Sequence, residues 1–340
     1  MTHSSEQLAA GQYAEAQGDY VAAAAAYRSM LASPDSHVAA EAHFLLGRVS
    51  WRQGRLDAAL SAYENARLSS ERLGDGELRA RVLNGLGAVH YARGDHAAAL
   101  RSYAAAEETT TDTALRGKIL LNVGVMESAE GQNDAAREHY DRAFQILRDC
   151  GDSAGATLAL YNRGMVEADL TLWAAADASF VAALALASDA NDREMIARTL
   201  VNRSETLVEL GALSDAVEHC DRALGIYAAI GDEVGRGESL RWRAHALGRA
   251  GDLAMAERNA TEALNIAMRA GARLLEAQSA RDLGVLRGLM GDRAGGVKEL
   301  RRALAMFTQL GARREAQEIA AMIQRPTPNR SLERIEFEGN

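Results

Sequence analysis

Small residues return along this chain with a period of 36 to 40 residues, and each period predicts two helices joined by a tight turn. The turn residue is glycine in every period but one: Gly18, Gly54, Gly94, Gly131, Thr171, Gly211, Gly251 and Gly291. Seven residues before each turn lies another small residue: Gly11, Gly47, Gly87, Gly124, Gly164, Ser204, Ala244 and Gly284. Five residues after each turn comes alanine or glycine: Ala23, Ala59, Ala99, Ala136, Ala176, Ala216, Ala256 and Gly296.

A second helix after each turn is predicted by apolar positions that share one of its faces. Twelve residues after the turn come Met30, Ala66, Ala106, Ala143, Ala183, Ala223, Ala263 and Ala303. Between these two small positions stands Tyr27, Tyr63, Tyr103, Tyr140 or Phe180, and later Cys220, Ala260 or Leu300. Residues seven apart lie on the same side of a helix, so we interpret this stripe as core.

Glycine ends a helix in the left-handed conformation without a Cβ clash, and the small residue within the first helix allows close helix approach. We therefore predict an all-α fold, a right-handed superhelical α-solenoid of about eight helix-turn-helix repeats that occupies residues 1–324. The repeats lie near 4–36, 40–76, 80–113, 117–153, 157–193, 197–233, 237–273 and 277–314, followed by a capping helix at 315–324 and a flexible C-terminal tail at 325–340.

Three departures from the pattern predict local irregularity. Thr171 stands where glycine is expected, so the geometry from the fourth to the fifth repeat is expected to be distorted. The third repeat is three residues short and ends in threonines, which are poor helix formers. Gly295 and Gly296 weaken the last second helix. Between repeats, Gly-Asp or Asn-Asp pairs such as Asn191-Asp192 predict a left-handed cap followed by an aspartate N-cap.

Net charge, cysteine content and the lack of long apolar runs argue against several classes of function. A formal net charge of −9 argues against general nucleic-acid binding, which needs clustered Lys and Arg. Two cysteines, Cys150 and Cys220, are too few for a disulfide framework or a zinc site, and no metal or cofactor is expected. The N-terminus lacks a secretory signal, and no apolar run approaches the roughly 18 residues that span a bilayer. We expect a cytoplasmic protein without membrane insertion.

The small–Gly–Ala–aromatic–Ala pattern over residues 4–314 resembles the tetratricopeptide repeat family. The units are longer than the usual 34 residues and are similar to those of kinesin light chains, Leu-Gly-Asn adaptors and bacterial peptide-pheromone receptors. The resemblance implies that the first helix of each repeat lines a concave, peptide-binding groove. The groove residues it implies are Arg48, Trp51, Arg52, Arg81, Asn84, Tyr91, Lys118, Asn122, Tyr161, Asn162, Arg198, Asn202, Arg241, Trp242 and His245.

Within this set, two series of polar residues hold equivalent positions in successive repeats, and we call each series a ladder. Asn122, Asn162 and Asn202 hold one equivalent position, and Arg81, Lys118 and Arg198 hold another. An asparagine amide both donates and accepts, which suits the main chain of a bound peptide. The alternative for the asparagines is repeat duplication with hydrogen bonds between helices, and for the basic ladder it is a solvated face. The acidic pair Glu205 and Glu209 is interpreted as a solvated helix face.

The sequence shows no catalytic motif, so we predict a non-enzymatic scaffold that binds a protein or peptide segment. Two alternatives stay open: a ligand-responsive regulatory sensor, and an enzyme or small-molecule binder with a pocket near Trp242 and His245. A homo-oligomer is possible. The alternating segment from Leu332 to Phe337 is a candidate plug for the groove.

Overall fold

The computed structural model describes residues 3–324, and every regular element among them is an α-helix. The predicted tail and its alternating segment lie outside the described residues. The described residues divide into two compact units, one up to Ala159 and one from Leu160 onwards, here called the N-terminal and C-terminal units. No helix among residues 3–324 is both long and apolar enough to cross a membrane.

The N-terminal unit consists of antiparallel helix pairs, one pair for each predicted repeat. Its helices are α1 (His3–Ala16), α2 (Tyr20–Met30), α3 (Ser36–Arg52), α4 (Leu56–Leu73), α5 (Gly76–Ala92), α6 (His96–Thr109), α7 (Thr113–Ala129), α8 (Asn133–Asp149) and the start of α9 (Ser153–Asp169).

The C-terminal unit has the same pairing, and one more helix, the last in the described range, follows its final pair. It contains the rest of α9, then α10 (Trp173–Asp189), α11 (Arg193–Glu209), α12 (Leu213–Ile230), α13 (Glu233–Arg249), α14 (Leu253–Ala270), α15 (Arg273–Leu289), α16 (Arg293–Leu310) and α17 (Arg313–Gln324). The helix predicted at 315–324 thus begins two residues earlier. Within each unit, stacked helix pairs form the all-α solenoid that the sequence predicts.

Within each helix pair, the small residue of the first helix packs against the side chain sixteen residues later in the second helix, and their volumes are complementary. A Cβ on Gly47 would lie 2.5 Å from the Tyr63 ring, so the glycine makes room for that ring. Where the first residue of the pair is larger, the second is smaller, as in Ala244 and Ala260, both fully buried. The alanines of the predicted stripe are also fully buried, which confirms its interpretation as core. Adding bulk on either side would overpack the contact.

The turns share one conformation, including the one without glycine. Thr171 has a φ of 58°, close to the 79° of Gly211 one repeat later. Leu172 N–H donates to the Glu167 carbonyl at 2.8 Å, and Ala212 N–H makes the same bond to Leu207. This six-residue closure satisfies carbonyls at the end of the first helix. The turn at Thr171 itself is therefore regular, and it holds threonine in a conformation that this residue adopts at a cost.

Two further junction features follow from the sequence. The aspartates after the inter-repeat turns act as N-caps, as Asp192 does by accepting from Met195 N–H at 3.0 Å. The shortened third repeat ends without a glycine, and its threonines bond to a carboxylate instead. Thr111 N–H donates to Glu77 at 2.7 Å and the Thr110 hydroxyl donates at 2.9 Å, which fixes the chain before α7.

Candidate functional site

In the N-terminal unit, polar side chains join the first helices α3, α5 and α7 to one another. Arg81 donates to both carboxylate oxygens of Glu41, at 2.7 and 3.0 Å. Asn122 donates through its amide to the side-chain oxygen of Asn84 at 3.0 Å. We call these side chains, with the other predicted groove residues of α3, α5 and α7, the N-terminal face. The asparagine pair is the inter-helix bond that the alternative interpretation expected.

Lys118 completes the basic ladder of this face, and it too has a partner. Its ammonium lies 2.9 Å from Asp152, the carboxylate that also caps α9 through Gly155 N–H. The capping bond is the main reason why the pKa of Asp152 is lowered, with Lys118 adding to it. A ligand that recruits Lys118 must therefore compete with a capped carboxylate.

At one edge of the N-terminal face, two arginines converge on one carboxylate. Arg48 donates to Glu15 at 2.7 Å and Arg52 lies 3.5 Å from it, while the Tyr27 hydroxyl donates at 3.0 Å. The Trp51 side chain stays 43% exposed beside them. An exposed tryptophan between arginines is the residue combination that interfaces favour.

Aromatic rings line the same unit. The Arg81 guanidinium lies 4.2 Å from the Phe44 ring centre, in cation–π geometry. The rings of Tyr91 and His96 are 5.5 Å apart, and His96 in turn lies 2.7 Å from a carboxylate oxygen of Glu130. Tyr91 is therefore positioned by a neighbour on the second helix of its own repeat.

In the C-terminal unit, one asparagine of the ladder is hydrogen-bonded to neighbouring residues and the other is not. Asn202 donates to the Tyr161 hydroxyl at 2.7 Å and to the Arg198 carbonyl at 3.0 Å. Arg198 lies 5.1 Å from the Tyr161 ring centre. The half-buried Asn162 side chain makes no hydrogen bond to any other residue of the described range. We call these side chains, with the other first-helix polar residues of α9, α11, α13 and α15, the C-terminal face.

A buried charge centre lies between α13 and α15 on the C-terminal face. The carboxylate of Asp282 accepts from His245 Nε2 at 2.7 Å, from Arg241 at 3.3 Å and from Arg281 at 3.0 Å. Burial alone would raise the pKa of Asp282, but these three groups overcome it and hold that pKa well below its usual range. Asp282 itself is only 3% exposed. The negative charge of Asp282 is therefore compensated within the centre.

The region predicted as a small-molecule pocket is packed. Trp242 is 8% exposed, its ring lies 4.9 Å from His245, and Arg241 lies 4.4 Å from the indole. Trp242 also packs with the core residues Leu200 and Tyr227. Arg241, Trp242 and His245 are therefore packed in the interior of the C-terminal unit.

Two surface depressions of about 570 and 500 Å³ lie elsewhere. They are lined by His43, Asn65, Leu68, Ser69, Glu71 and Arg72, and by Ala104, Glu107, Glu108, Arg116 and Arg142, which include none of the predicted groove residues. Both are shallow and open to solvent, so we place no site there. Within residues 3–324, no three His, Cys, Asp or Glu side chains are arranged to hold a metal ion.

Three carboxylates on the C-terminal face were not recognised as special in the sequence. Asp169, Glu205 and Glu238 have no ion-pair partner within 4 Å among the described residues. Desolvation raises the pKa of all three, and that of Glu205 reaches about 7. The sequence offered one signal, because Glu205 is a lone acid at a position that Met165 and His245 hold in adjacent repeats.

Comparisons with known proteins concern the fold. The sequence model of the tetratricopeptide repeat family matches residues 38–112. No curated protein matches the chain significantly. Among solved structures, apo RapI has 16% identity and a TM-score of 0.72, covering 94% of this chain and 95% of RapI. A Rap protein complexed with competence and sporulation factor has 14% identity and a TM-score of 0.61, covering 94% and 96%.

The apo quorum sensor NprR from B. thuringiensis is similar over 94% of this chain and 96% of its own, with 12% identity and a TM-score of 0.60. These likenesses show the fold. The helix pairs of both units therefore have the α-solenoid fold, and residues 38–112 match the tetratricopeptide repeat family.

Proposed function

We propose that this protein is a non-enzymatic, cytoplasmic scaffold that binds an extended segment of a partner polypeptide on its first-helix faces. The observation that carries the proposal is Asn162. Its amide is half-buried and unpaired, whereas Asn122 and Asn202 at equivalent positions are already bonded. A free amide offers a donor and an acceptor in the spacing that a peptide group needs.

Exposed anchors on the N-terminal face add to this support. Trp51 and Arg52 are accessible there, and aromatic and arginine side chains contribute most to protein interfaces. The complex of a Rap protein with competence and sporulation factor is a related fold in a bound state. Paired rungs such as Arg81 with Glu41 keep the face ordered before binding, which lowers the entropic cost of association.

The test is a selection of phage-displayed random dodecapeptides on the full chain, followed by calorimetry with the selected peptide. We expect Asn162→Ala to weaken binding about tenfold, because two hydrogen bonds to a buried peptide group are lost. Asn202→Ala is expected to weaken it less, since that amide is held by Tyr161. The matched control is Asn65→Ala on the exposed surface of α4. Equal affinity of Asn162→Ala and the control, with unchanged circular dichroism, would overturn this placement.

A sensor role is the second candidate, supported by the likeness to the quorum sensor NprR. A sensor changes conformation when its ligand binds, because the ligand favours one of two arrangements. Small-angle scattering with and without the selected peptide separates the two roles. A changed radius of gyration supports the sensor, and an unchanged one supports the scaffold.

A further inference from the structure

One side of α1, in the N-terminal unit, is exposed at a position that every later repeat buries. Tyr13 lies five residues before its turn glycine, and it is 71% exposed. In the later repeats, the residue at that position is at most 3% exposed: Val49, Val89, Met126, Val166, Thr206, Ala246 and Leu286. Tyr13 therefore occupies a core position of the repeat, yet its ring stays in contact with solvent.

Glu6, two turns earlier on the same side of α1, departs from the repeat in the same way. It is exposed, whereas the equivalent residues of the later repeats are uncharged and 0% exposed: Ala42, Val82, Ile119, Ala159, Thr199, Ser239 and Ser279. In those repeats a helix of the preceding pair lies nearby, since α2 packs on α3 and α4 packs on α5. Among residues 3–324 no helix precedes α1, so this side of it is open.

Ala9 and Ala10 complete this open side of α1. We call Glu6, Ala9, Ala10 and Tyr13 together the α1 face. All four residues are exposed, and their spacings of three, four and seven place them on one side of the helix. Glu6 is the only acid of this face, because Glu15, the other acid of α1, is already hydrogen-bonded within the unit. The α1 face thus has a small centre, with a phenol towards one end and a carboxylate towards the other.

The α1 face is complementary to a second copy of itself in the antiparallel orientation. With a two-fold axis between Ala9 and Ala10, each Ala9 lies opposite Ala10 of the other copy, and each Tyr13 lies opposite Glu6. Alanines at the centre allow two helix axes to approach to about 8 Å. A phenol hydroxyl donates well to a carboxylate. In a parallel orientation the two Glu6 carboxylates would instead lie opposite each other, so the antiparallel orientation is favoured.

The first repeat already uses this combination of groups within itself. The Tyr27 hydroxyl donates to Glu15 at 3.0 Å, and the Tyr27 ring fills the space that a side chain at Gly11 would need. A small residue under an aromatic ring, with a carboxylate at the hydroxyl, is therefore an arrangement that α1 makes on its buried side. The α1 face carries the same three kinds of group on its open side.

We propose that the α1 face is a homodimer interface, in which α1 packs antiparallel on α1 of a second copy and each Tyr13 hydroxyl donates to the partner's Glu6. One helix pair buries less than the roughly 1,600 Å² of a standard interface, so we expect a dissociation constant on the order of 10 μM. The inference does not depend on the proposed function, because α1 contributes none of the predicted groove residues.

Sedimentation equilibrium of the full chain, from about 1 to 500 μM, measures the association. The mass is expected to rise from 36.4 kDa towards twice that value. Ala10→Arg places like charges beside the two-fold axis and should weaken the dimer at least about tenfold. The matched control is Ala185→Arg, at an exposed position of α10, which should associate like the unaltered protein. Circular dichroism checks that both variants keep their helices.

Three results of this measurement would overturn the inference. The first is a monomer at every concentration, and the second is equal association of Ala10→Arg and Ala185→Arg. The third is a mass that grows beyond twofold, because a two-fold interface closes on itself. None of them touches the proposed function, since binding of a selected peptide by Ala10→Arg is measured separately and is expected to be unchanged.

Cross-linking tests the orientation and register. Glu6→Cys and Tyr13→Cys are made separately in a Cys150→Ser background, in which the remaining Cys220 is buried. Under mild oxidation, an equimolar mixture should give a disulfide-linked dimer. Either variant alone should not, because identical positions lie about 10 Å apart along the helix axis, too far for a disulfide. Cross-linking of either variant alone as efficiently as of the mixture would overturn the antiparallel interface.

Discussion

His245 Nε2 lies 2.7 Å from Oδ2 of Asp282, and both side chains are more than nine-tenths buried. Arg241 and Arg281 contact the same carboxylate, so one buried anion holds three neighbouring donors in place. Removing it leaves the buried Arg241 and the half-buried Arg281 without this counter-charge. The stability of the C-terminal unit is therefore expected to depend on this residue more than on any exposed charge.

We expect Asp282→Asn to lower the free energy of unfolding by about 3–5 kcal/mol, the usual cost of breaking a buried ion pair from one side. Denaturant titration followed by circular dichroism measures it. Asp189→Asn, at an exposed carboxylate, is the control and should change stability by less than about 0.5 kcal/mol. A similar small effect for both would contradict the interpretation of the charge centre.

The pH dependence of this contribution has a defined sign. The pKa of Asp282 in the folded chain is well below its usual range, and in an unfolded chain it is about 3.9. The stabilisation is therefore complete above about pH 4 and is lost as the pH falls further. Acid titration should bring the stabilities of the unaltered protein and Asp282→Asn together below that pH.

Glu205 should have the opposite pH dependence. Its pKa is about 7 in the folded chain, above the roughly 4.3 of an unfolded one, so folding is weakened as the pH rises from about 4 through 7. Glu205→Gln mimics the protonated form. We expect it to gain roughly 2 kcal/mol at pH 8, after allowing for partial exposure, and almost nothing at pH 4. The exposed control Glu218→Gln should change the free energy of unfolding by the same small amount at both pH values.

Alanine substitutions at two helical glycines are expected to change the stability of the protein in opposite directions. A Cβ on Gly47 would lie 2.5 Å from the Tyr63 ring, whereas one on Gly225 would have nothing within 4 Å. Gly47→Ala is expected to cost about 1–3 kcal/mol by overpacking. Gly225→Ala is expected to gain about 0.5–1 kcal/mol from helix propensity. Thermal melting of the two variants in parallel measures both changes in stability. A lower melting temperature for both variants would contradict the packing argument.

Thr171 offers a test of the shared turn. Its φ of 58° is unfavourable for a β-branched residue by about 1–2 kcal/mol, so Thr171→Gly should raise the melting temperature. Gly211→Thr, the reverse change at the equivalent turn, should lower it by a similar amount. If Thr171→Gly lowered stability, an interaction of the threonine side chain would have to outweigh the strain.

Much of the fold could be predicted because helix pairs are specified locally. Glycine at a turn, a small residue seven earlier and an aromatic nine later encode close packing within a span of some sixteen residues. The turn at Thr171 keeps the common shape because its closure depends on backbone hydrogen bonds that threonine leaves intact. Cooperation among the neighbouring helices overrides its local preference.

The candidate site was harder to predict because its state depends on partners about forty residues away. Opposite charges in neighbouring repeats, such as Glu41 with Arg81 and Glu209 with Arg249, are a signal that the sequence contains. Asp282 was missed although it lies eighty residues after Asn202, at the same repeat position. Whether such residues pair or face solvent depends on rotamers and burial, which periodicity does not specify. The peptide contacts proposed for Asn162 stay a prediction.

The packing of Trp242 against the charge centre has a practical consequence. The indole lies 4.9 Å from the His245 ring and beside Arg241, close enough for their charge state and position to alter its emission. A protein in which Trp51 and Trp173 are replaced by phenylalanine would therefore carry an intrinsic optical probe at a single known place. Its spectrum would follow rearrangement of the C-terminal unit in real time, without any attached dye.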